Sequence, residues 1–287
     1  MALDQPGQQP ELESEMSFLD HLEELRWHVI RSVGAILLFT IIGFVYVKWI
    51  FNNVILAPAK ADFPTWRALC ALGEAIGKAD LLCIQDIPLE LQSRFMTGQF
   101  TITIISGLVL GLILAFPYVV WEMWRFIKPG LHLKERKNTT GAVGAVTLLF
   151  ASGVSFGYFV IAPLMVYVMA NYRISDMIVN EFDITSYVST FVALVLGSGL
   201  LFQLPVVIYF LSKMGIVTPS FLRKYRKHSV VVILIIAAII TPPDPLSQTL
   251  ISLPLYLLFE ISILISARVE KKRIKEAEAE ARAEGTV

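Results

Sequence analysis

The side chains able to do chemistry in this 287-residue chain are few, and the most suggestive are carboxylates set beside basic residues at the ends of apolar runs. Glu24 lies in HLEELR, residues 21–26, between Glu23 and Arg26 on one side and a long apolar stretch on the other. Glu135 lies in LKERK, flanked by Lys134, Arg136 and Lys137 and preceded by Trp121, Trp124, Phe126 and a Pro129-Gly130 turn. Periodicity alone reads each glutamate as a solvated charge or half of a local salt bridge. The sharper reading is recognition, because a carboxylate accepts two parallel, charge-assisted bonds from a guanidinium that an ammonium cannot reproduce.

Inside the apolar runs two further polar groups stand out, Gln203 beside Pro205 and Glu260. A polar or ionisable group within a membrane span is a functional hypothesis by default. Glu260 precedes the end of its run at Ala267 by a distance of about 10 Å in a helix, so a snorkelling or paired carboxylate is its plain reading. Gln203 carries no proton; an interhelical hydrogen bond is its plain reading and a polar spot that hydrates or thins the bilayer its functional one. Catalysis finds little support. GxGxxG, Walker and HExxH patterns are missing, and His21, His28, His132 and His228 are scattered, so neither a catalytic metal nor a cofactor is expected. The two cysteines, Cys70 and Cys83, are either a disulfide, closing a short loop and contributing up to about 3 kcal/mol, or two unrelated thiols.

These residues are carried by a chain that lipid must solvate. Hydrophobic residues make up 55% and charged residues 17%, against roughly 25% charged in ordinary soluble domains, and the mean hydropathy is +0.65. The formal net charge of zero excludes a global basic field for nucleic acid. Apolar runs fall at 32–50, 99–121, 141–170, 187–211, 230–241 and 246–267, the fifth short and the last two separated by TPPDP at 241–245. They form six transmembrane helices or, alternatively, four and a broken re-entrant pair; both leave the chain ends on one side. No cleavable signal peptide is expected, since the first thirty residues begin acidic and polar.

Lys and Arg set the orientation. Two lie in 1–31, five in 122–140, five in 212–229 and six from 268 onward, whereas 51–98 holds four and the loop after the third run only Arg173. Both termini are therefore placed in the cytoplasm. The expected organisation is one membrane domain, 1–267, with a cytoplasmic segment 1–31, a first outer loop or helical cap 51–98, cytoplasmic loops 122–140 and 212–229, and a charged tail 268–287. In the cap, Trp66, Leu69, Leu72 and Ile76 give 65–78 a helical pattern. Ser17 to Asp20 resembles a capping box for a helix running into the first span.

Four segments in order carry a family resemblance: HLEELR; FIKPGL followed by KER; FGYFVIAPL at 156–164; and TPPDPLSQTLISLPLYLLFEI at 241–261. Together they resemble TatC, the signal-peptide receptor of the twin-arginine protein translocase, over about residues 17–267. The resemblance implies an all-α membrane protein with a curved, glove-like wall of six helices. It also implies a cytoplasmic site in which Glu24 and Glu135 take the two arginines of a signal peptide, with Phe126, Arg26, Arg136 and Lys137 around them. Pro58, Pro129, Pro242, Pro243 and Asp244 align with recurring family positions, and Gln203 stands where many members have glutamate. The implied function is non-enzymatic: export of folded cargo across a bacterial inner membrane. It would be driven by the proton-motive force through an oligomer with single-span TatA-like and TatB-like subunits. A small-molecule transporter would favour paired repeats and midplane polar groups, and a membrane enzyme a catalytic constellation; the sequence displays neither.

Overall fold

The computed structural model describes residues 18–84, 87–127, 139–175, 177, 179–240 and 245–284. In chain order these form α1 (Phe18–Val45), α2 (Val47–Ile50), α3 (Pro64–Ala75), α4 (Ala79–Leu82), β1 (Glu90–Gln92), α5 (Gly98–Ile127) and α6 (Thr139–Phe156). There follow α7 (Ala162–Asn171), β2 (Glu181–Asp183), α8 (Ile184–Leu201), α9 (Leu204–Lys213), α10 (Pro219–Lys224), α11 (Arg226–Ile240) and α12 (Pro245–Glu284).

Among the described residues, five helical segments are long and apolar enough to cross a membrane: Glu23–Val45, Gly98–Ile127, Gly141–Asn171, Ile184–Lys213 and Gln248–Glu276. The fifth apolar run of the sequence becomes α11, whose 15 residues reach about 22 Å, short of a hydrocarbon core of about 30 Å. On α1, Val33, Leu37, Leu38, Ile41 and Val45 are all exposed. An outward apolar face of that length fits a lipid solvent and not water. Buried contacts concentrate in the second half of the chain, where Leu194, Ile208, Ile233, Ile251, Leu255 and Ile263 form one core joining α8, α9, α11 and α12.

Backbone closeness ties α1 to α5. A Cβ built on Gly111 would lie 2.3 Å from Thr40 Oγ1 and 2.7 Å from the Thr40 nitrogen, and one on Gly43 would lie 3.3 Å from the Gly107 Cα. Small residues at such crossings let helices approach where no hydrophobic drive separates protein from lipid. Two interruptions of regular helix are also satisfied by partners. Between α2 and the cap the chain makes a wide turn at Phe51–Ile55; Tyr158 OH donates to the Val54 carbonyl at 3.1 Å and Tyr187 OH to the Ile55 carbonyl at 2.9 Å. Carbonyls freed from the regular ladder need such donors. Beyond it, Trp66 Nε1 donates to the carbonyl of buried Pro58 at 3.2 Å, and Phe63, Trp66 and Ile87 pack on Val166 and Ala170.

The helical pattern expected at 65–78 becomes α3, which Gly77 ends at φ 69°. Cys70 on α3 and Cys83 after α4 are joined by a disulfide, with Cα atoms 4.2 Å apart. β1 and β2 pair in parallel, Glu90 opposite Glu181 and Gln92 opposite Asp183. Asp183 then caps α8, accepting from the Thr185 N–H at 2.9 Å and the Ser186 N–H at 3.3 Å, while the Arg94 N–H reaches its other oxygen at 3.2 Å. Desolvation raises the pKa of this carboxyl, but the amide donors outweigh it and hold the value below the ordinary one.

Candidate functional site

The basic ends of α1 and α5 meet around one carboxylate that the sequence reading passed over. α5 does not end at Trp121, where the apolar run stops, but continues to Ile127. The extension makes Glu122 a helical residue facing α1 rather than the first residue of a loop. Glu122 is 1% exposed. Its Oε2 accepts from His28 Nδ1 and lies 4.0 Å from Arg31 Nη1; its Oε1 accepts from Tyr118 OH at 3.0 Å and lies 3.7 Å from Arg125 Nη1. A buried charge of this kind is tolerable only when paired and hydrogen-bonded on both oxygens. Arg125 is further fixed over the Trp121 ring, 4.9 Å from its centroid.

One turn toward the chain's N-terminal end, Glu24 occupies the same stripe of α1 as His28. Its Oε2 is shielded from solvent and, among the described residues, accepts no hydrogen bond. Phe126, four residues beyond Glu122 on α5, sets its ring edge-on to the His28 imidazole at 6.2 Å between centroids. The described part of the site is therefore a half-buried carboxylate with one unmatched oxygen and, one turn along, a saturated ion cluster whose histidine packs against an aromatic ring. Arg26 is exposed on α1. Glu135, Arg136, Lys137 and Pro129 lie outside the described residues, as do Ser17, Pro242, Pro243 and Asp244.

The two polar residues deeper in the runs sit away from that cluster. Glu260 on α12 is paired, with Arg226 Nη2 2.7 Å from its Oε2 and Tyr256 OH donating to its Oε1 at 3.1 Å. Close by, Ser212 and Ser266 hydrogen-bond at 2.7 Å in a buried contact between α9 and α12. Gln203 lies at the break between α8 and α9; its Nε2 reaches the Gly199 carbonyl at 3.5 Å, and its Oε1 is buried without a partner. Among the described residues, Cys70, Glu74 and Cys83 bring ligand-type atoms within 4.8 Å of one another. The disulfide engages both sulfurs, which leaves too few donors for a zinc site.

Sequence reasoning missed His28 and Glu122 as a pair. A signal was present in Tyr118, Glu122 and Arg125, spaced at i, i+4 and i+7 as one helical face, but the hydropathy boundary placed Glu122 in a loop.

Comparison with known proteins follows the fold. The family model for Sec-independent protein translocase protein (TatC) matches residues 20–254. The TatC protein of Blattabacterium sp. subsp. Periplaneta americana is 40% identical over 261 residues, covering 91% of this chain and 98% of the relative. TatCy of Bacillus subtilis is 34% identical over 269 residues, covering 93% and 95%. A crystal structure of the twin-arginine translocase receptor TatC matches with a TM-score of 0.66 at 30% identity, over 86% of this chain and 97% of that one. A second, determined in DDM, gives 0.68.

Proposed function

The chain belongs to the TatC family of Sec-independent protein translocase proteins, and from that premise we propose that it is the receptor for twin-arginine signal peptides. Glu24 and Glu135 each take one guanidinium, and Phe126 shields the first of these pairs from water. Arg26, Arg136 and Lys137 border the site. The observation that carries this reading is the Glu24 Oε2, shielded and without a hydrogen-bond partner beside the Phe126–His28 contact. A buried acceptor left unmatched costs about 1–3 kcal/mol, and an incoming guanidinium recovers it with a charge-assisted bond.

In this reading α11 is a short fifth span and the membrane-crossing part of α12 the sixth, both termini are cytoplasmic, and the membrane is the bacterial inner membrane. The signal peptide's apolar segment then enters lipid along the helix wall. Single-span TatA-like and TatB-like subunits join to form an oligomer that moves folded cargo with the proton-motive force. The chain acts as a translocase component and contributes binding rather than bond chemistry.

Equilibrium binding of a labelled twin-arginine signal peptide to the purified full chain in detergent tests the carboxylate. Glu24→Gln should weaken binding about ten- to hundredfold, the equivalent of one charged hydrogen bond. A Lys-Lys peptide should bind the native chain as weakly as the Arg-Arg peptide binds the variant. Indifference to both changes would refute the assignment.

A further inference from the structure

We infer that Glu122 is a positioning residue for this docking site, holding the chain's own cations away from Glu24 so that the receptor carboxylate stays open to an incoming guanidinium. The inference rests on the assignment of Glu24 as a docking carboxylate. On α1, Glu24, His28 and Arg31 fall at i, i+4 and i+7, one face of the helix. Helical side chains lean toward the N-terminus, which aims His28 at Glu24 one turn away, with Arg31 next along the same face. Residues at i and i+4 are neighbours on a helix, so the His28 ring is within reach of a local hydrogen bond to Glu24. Left to α1 alone, Glu24 would be occupied by its own helix.

The structure shows a different allocation. His28 and Arg31 turn to the Glu122 Oε2, Arg125 lies against the Oε1, and the Glu24 Oε2 has no hydrogen-bond partner. Arg31 and Arg125 are each about half exposed, so both have room to move once the Glu122 charge is gone, Arg125 at the cost of its contact with the Trp121 ring. Glu122 itself is closed to a peptide: it is 1% exposed, and His28 and Tyr118 already bond to its two oxygens. It therefore acts on recognition through the residues it holds, without touching the ligand.

Glu122→Gln tests this directly, because glutamine preserves the shape and one acceptor while removing the charge that retains the arginines. Binding of the labelled Arg-Arg peptide to the full chain should weaken roughly fivefold, the effect of one competing partly exposed ion pair. Adding Arg31→Gln and Arg125→Gln to Glu122→Gln should restore most of the loss, a rescue that damage to the helix pair would not give. Glu122→Asp, which retains the charge, should bind better than Glu122→Gln and keeps the test available if the glutamine variant accumulates poorly. Unchanged binding in Glu122→Gln, or a loss that the arginine substitutions do not reverse, would overturn the inference. Full binding by Glu24→Gln would overturn the docking assignment beneath it.

Discussion

Gly111→Val puts the geometry that aligns α1 with α5 under the most direct strain. A Cβ at position 111 would stand 2.3 Å from Thr40 Oγ1, 2.7 Å from the Thr40 nitrogen and 2.9 Å from the Ile36 carbonyl oxygen. Thr40 Oγ1 is held by its bond to the Ile36 carbonyl at 2.8 Å, and the other two atoms are backbone, so rotamer changes do not clear the clash. Ordinary contact begins near 3.4 Å, which requires α1 to retreat by about 1 Å. Overpacking of this kind costs about 1–3 kcal/mol, or on the order of 5 °C in the melting temperature of a chain this size. Gly34→Val is the matched control, since a Cβ there meets nothing within 4 Å. Melting of both variants in one detergent, followed by intrinsic fluorescence, reads the difference. Equal melting temperatures for the two variants would refute the claim that close backbone approach at Gly111 holds the helices together.

Three further outcomes follow from the same coordinates. Tyr187→Phe leaves the Ile55 carbonyl without its 2.9 Å donor and should cost about 1–3 kcal/mol, read as a lower midpoint in thermal melting. The Asp183 carboxyl has its pKa lowered in the folded chain, so its cap contributes stability above the unfolded-state pKa and loses it as pH falls through the folded one. The protection factors of the Thr185 and Ser186 amides, taken relative to intrinsic exchange at each pH, should therefore fall on acidification, and Asp183→Asn should flatten that dependence. Cys70→Ser opens a bridge between residues 13 apart; it should destabilise the cap by about 3 kcal/mol, seen as faster exchange confined to α3 and α4.

Much of the architecture was legible because lipid imposes a simple pattern. Runs of apolar residues become helices, and the short fifth run becomes the short helix α11. HLEELR placed Glu24 on a helix leading into the first span. What stayed hidden depends on partners far away in sequence. Glu122 looked like a loop residue until α5 was seen to run on to Ile127 and meet His28, 94 residues distant. Glu260 could be read as a paired carboxylate, but its partner Arg226 belongs to another element and was named by no local pattern. β1 and β2 are three residues each, too short for an alternating signal, and their parallel register joins two loops that two spans separate in sequence.

The central claim is that Glu24 receives an arginine of the signal peptide. Site-specific photo-crosslinking in native membranes, with the probe placed beside the twin arginines of a signal peptide, addresses it in the working assembly. The account predicts crosslinks to the basic ends of α1 and α5, lost with a Lys-Lys peptide and lost again in Glu24→Ala. Equal crosslinking by both peptides to the native and variant chains would contradict it, leaving only binding of the apolar segment to the helix wall.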